Sequence, residues 1–191
     1  EWIVAKAEDF YTSIGFAKLP QVFWDKSDLY PVPAGDPRKK NSHASAWHMD
    51  LNQDMRSLMS VEPDTQWFGT AHHELGHIFY YQRYYKMPVL FQQGANDGFH
   101  EGIGDTLALS ITPDYLDKLG LIKKTKENEK ALINQQMKAA LEKIAFLPFG
   151  LLLDRWRWEV FSGRTTKANY NARFWELRKQ YQGVQPPVER S

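Results

Sequence analysis

The stretch Ala71-His72-His73-Glu74-Leu75-Gly76-His77-Ile78-Phe79-Tyr80 decides how this chain is read. Within it, His73, Glu74 and His77 form H-E-x-x-H. Residues four apart on a helix lie nearly above one another, so the two imidazoles can grip one metal ion. Glu74 flanks the pair, placed to reach a water at the metal without being a ligand. Pro63-Asp64-Thr65, with Asp64 or Thr65 as N-cap, starts the helix, and Pro88 lies beyond its end near residue 84 or 85.

A catalytic zinc takes three protein ligands and keeps a position open for water. Glu101 lies 24 positions past His77. It sits on a second expected helix, residues 99–110, after the turn Gly94-Ala95-Asn96-Asp97-Gly98. Asp105 follows by four positions on the same face, where it can accept the N–H of a zinc-bound histidine. Lone buried carboxylates are costly, so two acids in so apolar a segment point to partners. His72 and His100 are each rotated about 100° from an adjoining candidate ligand and read as packing or supporting residues. Two neutral imidazoles and one carboxylate would leave zinc a charge of about +1, acidifying water towards a pKa of about 7. Glu74 would then take and return a proton in peptide hydrolysis without a covalent intermediate. His43 is a candidate donor to the reacting carbonyl.

Composition narrows the alternatives. With 24 Lys+Arg against 23 Asp+Glu, bulk charge makes no case for nucleic acid or a membrane surface. At 42% apolar and 14% aromatic residues, the chain can bury a core. No apolar run approaches the roughly 18 residues of a spanning helix, and the start lacks a signal-peptide pattern. Cysteine is absent, so disulfides and thiolate ligands are excluded and any metal must be held by His and carboxylate.

Outside the central stretch the pattern is mostly α. A helix is expected over residues 1–16, stopped by Gly15, then a Pro-punctuated loop over 18–41 ending in the solvated turn Arg38-Lys39-Lys40. Residues 43–49 read as a short edge strand. Polar residues 123–130 read as a loop or frayed helix start. Ile133, Met137, Ala140, Leu141 and Ile144 then recur at helical spacing until Pro148 kinks or ends the helix. Further helices are expected over 151–161 and 169–181, the last closed by Gly183 and Pro186-Pro187. No repeat, linker or domain boundary is visible.

These residues closely resemble the core of the angiotensin-converting-enzyme family of zinc dipeptidyl carboxypeptidases. The likeness runs through His73-Glu74-Leu75-Gly76-His77-Ile78 and the stretch from Gly94 to Asp105. It includes His43-Ala44-Ser45-Ala46-Trp47, 30 positions before His73. Lys143-Ile144-Ala145-Phe146-Leu147-Pro148-Phe149, Trp156-Arg157-Trp158, Tyr181-Gln182-Gly183 and Pro186-Pro187-Val188 also match. The resemblance implies a mostly α, zincin-type helical core with a short β edge near residues 43–47. It implies His73, His77 and Glu101 as zinc ligands, Glu74 as base and acid, and Asp105 as the partner of a ligand. His43 would bond a substrate carbonyl, Ala44 and Ala46 would pair with the peptide through their backbone, and Thr70 and Phe146 would line side-chain pockets. Arg178 matches a chloride-binding arginine, but its usual tryptophan neighbour is Phe174 here, which puts chloride activation in doubt. The substrate implied is an oligopeptide with a free C-terminus, and the compartment extracellular or periplasmic. Ser42 and Gln185 stand where animal members carry cysteines, suggesting a bacterial-type member. Family domains are longer at both ends, so residues 1–191 are expected to form one partial catalytic domain. The groups that hold the substrate carboxylate (a lysine and a tyrosine), another histidine, and the oxyanion tyrosine would lie beyond Ser191. An alternative is a truncated member that binds zinc, with or without peptide, but does not turn over.

Overall fold

The computed structural model describes residues 1–123 and 128–190 and divides into two compact units, Glu1–Lys124 and Thr125–Ser191. The first unit is built on the central stretch. Helix α1 (Trp2–Ser13) and the short α2 (Gln21–Lys26) precede β1 (Ser45–His48) and β2 (Met55–Leu58). Helix α3 (Thr65–Tyr84), a 3₁₀ turn (Val89–Phe91), α4 (Asp97–Ala108) and α5 (Pro113–Lys118) follow.

Asp64 starts α3 by accepting the Trp67 N–H, relieving one of the unpaired donors of the first turn. Phe68, Ala71, His72, Leu75, Ile78 and Phe79 recur at helical spacing and are buried. α1 covers this face with Ile3, Val4, Ala7 and Tyr11. The Tyr11 ring stacks on Phe79 at 4.4 Å, and its hydroxyl donates to the His72 carbonyl at 2.7 Å.

α3 and α4 meet where both carry glycine. A Cβ on Gly76 would lie 2.8 Å from the Gly104 Cα and 3.0 Å from the Tyr11 hydroxyl. One on Gly104 would lie 2.9 Å from both the carbonyl oxygen and Nδ1 of His73. The crossing therefore depends on two missing side chains, which bring α4 against the histidine-bearing face of α3.

The strand expected over 43–49 is β1, four residues long. It pairs antiparallel with β2, with Ala46 opposite Ser57 and Trp47 opposite Arg56. Neither β2 nor α2 was expected. β2 turns Met55 and Ser57 inward, so a polar residue breaks its apolar alternation. Helix α2, six residues long, has too few turns to show a period, yet it anchors the Pro-rich loop through fully buried Phe23.

In the second unit, α6 (Glu129–Phe161) and α7 (Tyr170–Gln182) pack together around Leu152 and Leu177. Two expected helices are one, because α6 runs through Pro148. Proline removes the bond to the carbonyl of Ile144, and Ile144 is 65% exposed, so solvent can satisfy that carbonyl. Gly183, at φ 68°, ends α7 in the left-handed conformation. Of the polar segment 123–130, residues 124–127 lie outside the described residues.

Candidate metal centre

One turn of α3 separates His73 from His77, and their ring centroids lie 4.9 Å apart. Across the glycine crossing, Glu101 of α4 places Oε2 3.2 Å from His73 Nε2 and Oε1 3.8 Å from His77 Nε2. The three side chains expected as ligands thus lie close together. A second carboxylate also reaches the pair, since one donor atom each from His73, Glu74 and His77 lie within 4.8 Å of one another. Glu74 Oε2 is buried and has no hydrogen-bond partner among the described residues. Burial raises its pKa above the usual carboxyl range. Burial also pushes His77 down to about 4, which keeps that imidazole neutral and its lone pair available.

Behind the pair stand two different supports. Asp105 Oδ1 lies 3.1 Å from His73 Nδ1. His77 Nδ1 lies 3.2 Å from His100 Nδ1. The expectation that the acids were buried does not hold, because the side chains of Glu101 and Asp105 are 71% and 52% exposed. The imidazoles opposite them account for their position. His72 takes no part: it is fully buried, with Nδ1 bonded to the Phe68 carbonyl at 2.8 Å and Nε2 3.1 Å from the Tyr115 hydroxyl.

A cavity of about 370 Å³ opens onto this group, lined by His73, Glu74, His77 and Glu101 together with His43 and Ala44, which precede β1, and Ala46 of β1. His43 Nδ1 lies 2.8 Å from the Ala44 carbonyl, which can only accept. The neutral ring therefore presents Nε2 as an acceptor, and donation to a substrate carbonyl requires the protonated ring. The Tyr81 hydroxyl donates to the Ala46 carbonyl at 3.2 Å and also lines the cavity. Sequence reasoning passed over Tyr81, although it follows His77 by four positions and so shares its face.

Three further residues belong to the expected set. Thr70, half-buried on α3, is not among the residues lining the cavity. Phe146 and Arg178 belong to the second unit. Phe146 is 59% exposed on α6. The Arg178 guanidinium lies over the Phe149 and Trp175 rings at 5.7 and 5.5 Å, with a buried Nε lacking a hydrogen-bond partner among the described residues.

The family model of peptidase family M2, angiotensin-converting enzyme, matches residues 1–191. The chain belongs to the angiotensin-converting enzyme family. Among its relatives, the angiotensin-converting enzyme of Mesocricetus auratus is 47% identical over 190 residues, covering 99% of this chain and 14% of the relative. Those of Haematobia irritans exigua and Theromyzon tessulatum are 44% and 45% identical, covering 96% and 97% of this chain. The chain spans 30% of the length of each of those two relatives. The mostly helical architecture agrees with this membership.

Proposed function

We propose that the chain is the catalytic-core segment of a zinc-dependent peptidyl-dipeptidase that releases C-terminal dipeptides from oligopeptides. The observation that carries this reading is the convergence of the Nε2 atoms of His73 and His77 with the Glu101 carboxylate, beside the unpartnered Glu74 oxygen. Two imidazoles and a carboxylate are the donor set of a catalytic zinc with an open position, so these residues fit the ion. His73, His77 and Glu101 would hold it. Bound zinc supplies Lewis acidity, polarising the scissile carbonyl and acidifying water.

The chain's own residues then divide the remaining tasks. Asp105 accepts from His73 Nδ1, which keeps the proton off Nε2. Glu74 takes a proton from the attacking water onto its carboxylate and delivers it to the leaving amine nitrogen. Burial raises its pKa, the direction that suits a group which must both take and return a proton. Ala44 and, in β1, Ala46 offer backbone groups to an extended peptide, and His43 is the donor to a substrate carbonyl. Thr70 and Phe146 as pocket residues, Arg178 as a chloride site, and an extracellular or periplasmic location rest on the family resemblance alone.

A second reading of the same donor set is a member that binds zinc, with or without peptide, but does not turn over. One assay separates the two. The 191-residue chain, with its zinc content measured, is given one peptide with a free C-terminus and the same peptide amidated. Dipeptide release from the free form alone supports the exopeptidase reading, and equal cleavage of both overturns it. Bound zinc without hydrolysis of either supports the second reading, while a folded chain that takes up no zinc overturns both.

A further inference from the structure

The geometry points to His100 as a positioning residue that sets the tautomer of His77, with Tyr84 behind it, so that His77 Nε2 is presented as a lone pair. This inference rests on the metal site proposed above.

The chain of atoms has only one consistent proton arrangement. For His77 to offer Nε2 to a metal, its proton must sit on Nδ1, and that N–H needs an acceptor. The atom 3.2 Å away is His100 Nδ1, which must then be unprotonated. The proton of His100 therefore sits on Nε2, where the Tyr84 oxygen, 3.0 Å distant, accepts it. His77 thus donates to His100, and His100 donates to Tyr84.

Packing holds this ring in one place. Tyr80 and Tyr81 flank His100 at centroid distances of 4.6 and 5.2 Å. Gly94 leaves room beside it, since a Cβ there would lie 2.8 Å from His100 Cδ2. Because His100 directly precedes Glu101 on α4, a single step of that helix delivers a carboxylate to the cavity and an acceptor to the back of His77. The two histidines consequently have unlike supports. His73 has an anionic partner in Asp105, whereas His77 has a neutral one. A neutral acceptor fixes the tautomer while adding no charge to the site.

Chelator-competition titration of zinc against the 191-residue chain and three variants tests this, with folding checked by circular dichroism. His100→Phe keeps a ring and removes the acceptor, and is expected to weaken zinc binding about 10- to 100-fold. His100→Asn, whose Oδ1 can stand in for Nδ1, is expected to stay within about threefold of the parent chain, and Tyr84→Phe to fall between the two. Affinity unchanged in His100→Phe would overturn the relay and leave the site intact. Equal losses in the Phe and Asn variants would reduce His100 to packing and also overturn it. A parent chain that binds no zinc defeats the underlying site, a distinguishable result. Where a variant does not fold, imidazole ¹⁵N shifts of the zinc-loaded parent chain decide, because a protonated His100 Nδ1 contradicts the relay.

Discussion

Two glutamates, one in each unit, are buried to nearly the same degree: Glu74 is 5% exposed and Glu159 is 8% exposed. Their surroundings are opposite. Glu159 accepts from Arg173 at 2.7 and 2.8 Å, from the Thr165 hydroxyl at 3.3 Å and from Arg155 at 3.4 Å. The hydrogen bonds from Arg173, more than anything else, hold its carboxyl at about 2. Glu74 keeps one oxygen buried without a partner among the described residues, and burial moves its carboxyl the other way. A buried acid whose every lone pair is answered holds two helices together. One left unanswered beside two imidazoles has the surroundings that the proposed proton transfer requires.

The contrast can be broken by substitution. Glu74→Gln is expected to cost 10²–10⁴-fold in turnover of the active enzyme, about 3–5 kcal/mol, with zinc content unchanged. Retained turnover, read as single-turnover product formation, would remove Glu74 from the chemistry. Glu159→Gln is expected to leave the zinc affinity of the first unit unchanged but to destabilise the second by about 1–2 kcal/mol, since the amide loses the charge that faces Arg173, which keeps Glu176 as a partner. Urea denaturation followed by tryptophan fluorescence reads this, and an unchanged midpoint would make the network ornamental. The same variant has a pH signature. Because the folded carboxyl lies below its ordinary value, its stabilisation is present above about 4.5 and is lost as pH falls through about 2. The gap in stability between parent and Glu159→Gln should therefore close on acidification, and a gap constant with pH would contradict the pairing.

Further effects sharpen the picture of how the first unit places its acids. Gly76→Ala puts a methyl against the Gly104 Cα and should cost about 2 kcal/mol. It should also weaken zinc binding, because the Glu101-bearing helix is pushed off the histidines. Thermal melts with and without zinc would show both, and an unaltered zinc-induced shift would mean the crossing tolerates the methyl. Tyr11→Phe deletes one buried hydrogen bond to the His72 carbonyl and should lower stability by about 1 kcal/mol, measurable in the same melts.

Much of the first unit was legible in the sequence because local signals and burial agree there. Asp64, the apolar positions from Phe68 to Phe79 and the tyrosines near residue 84 fix α3 to within a residue of its observed ends. His73, His77, Glu101 and Asp105 were legible because helical spacing converts directly into a shared face. Other features depend on partners distant in sequence. Ser57 faces inward because β2 packs against α3 and pairs with β1, and no local pattern announces that. The contact of His77 with His100 exists only because Gly76 and Gly104 allow the helices to touch. His43 spends Nδ1 on the neighbouring carbonyl, a choice of proton position that a sequence does not carry. At Pro148 the local rule was overridden, because the carbonyl it strands lies at an exposed residue of a 33-residue helix.

The distance along the chain between His73 and Glu101 has a thermodynamic meaning of its own. These residues are 28 positions apart and belong to different helices, so the zinc proposed to join them would act as a reversible cross-link. Closing a loop of that length removes about 3–4 kcal/mol of entropy from the unfolded chain in the chain-entropy treatment of cross-links. Chelation would then do to α3 and α4 what reduction does to a disulfide, in a chain that has no cysteine with which to make one.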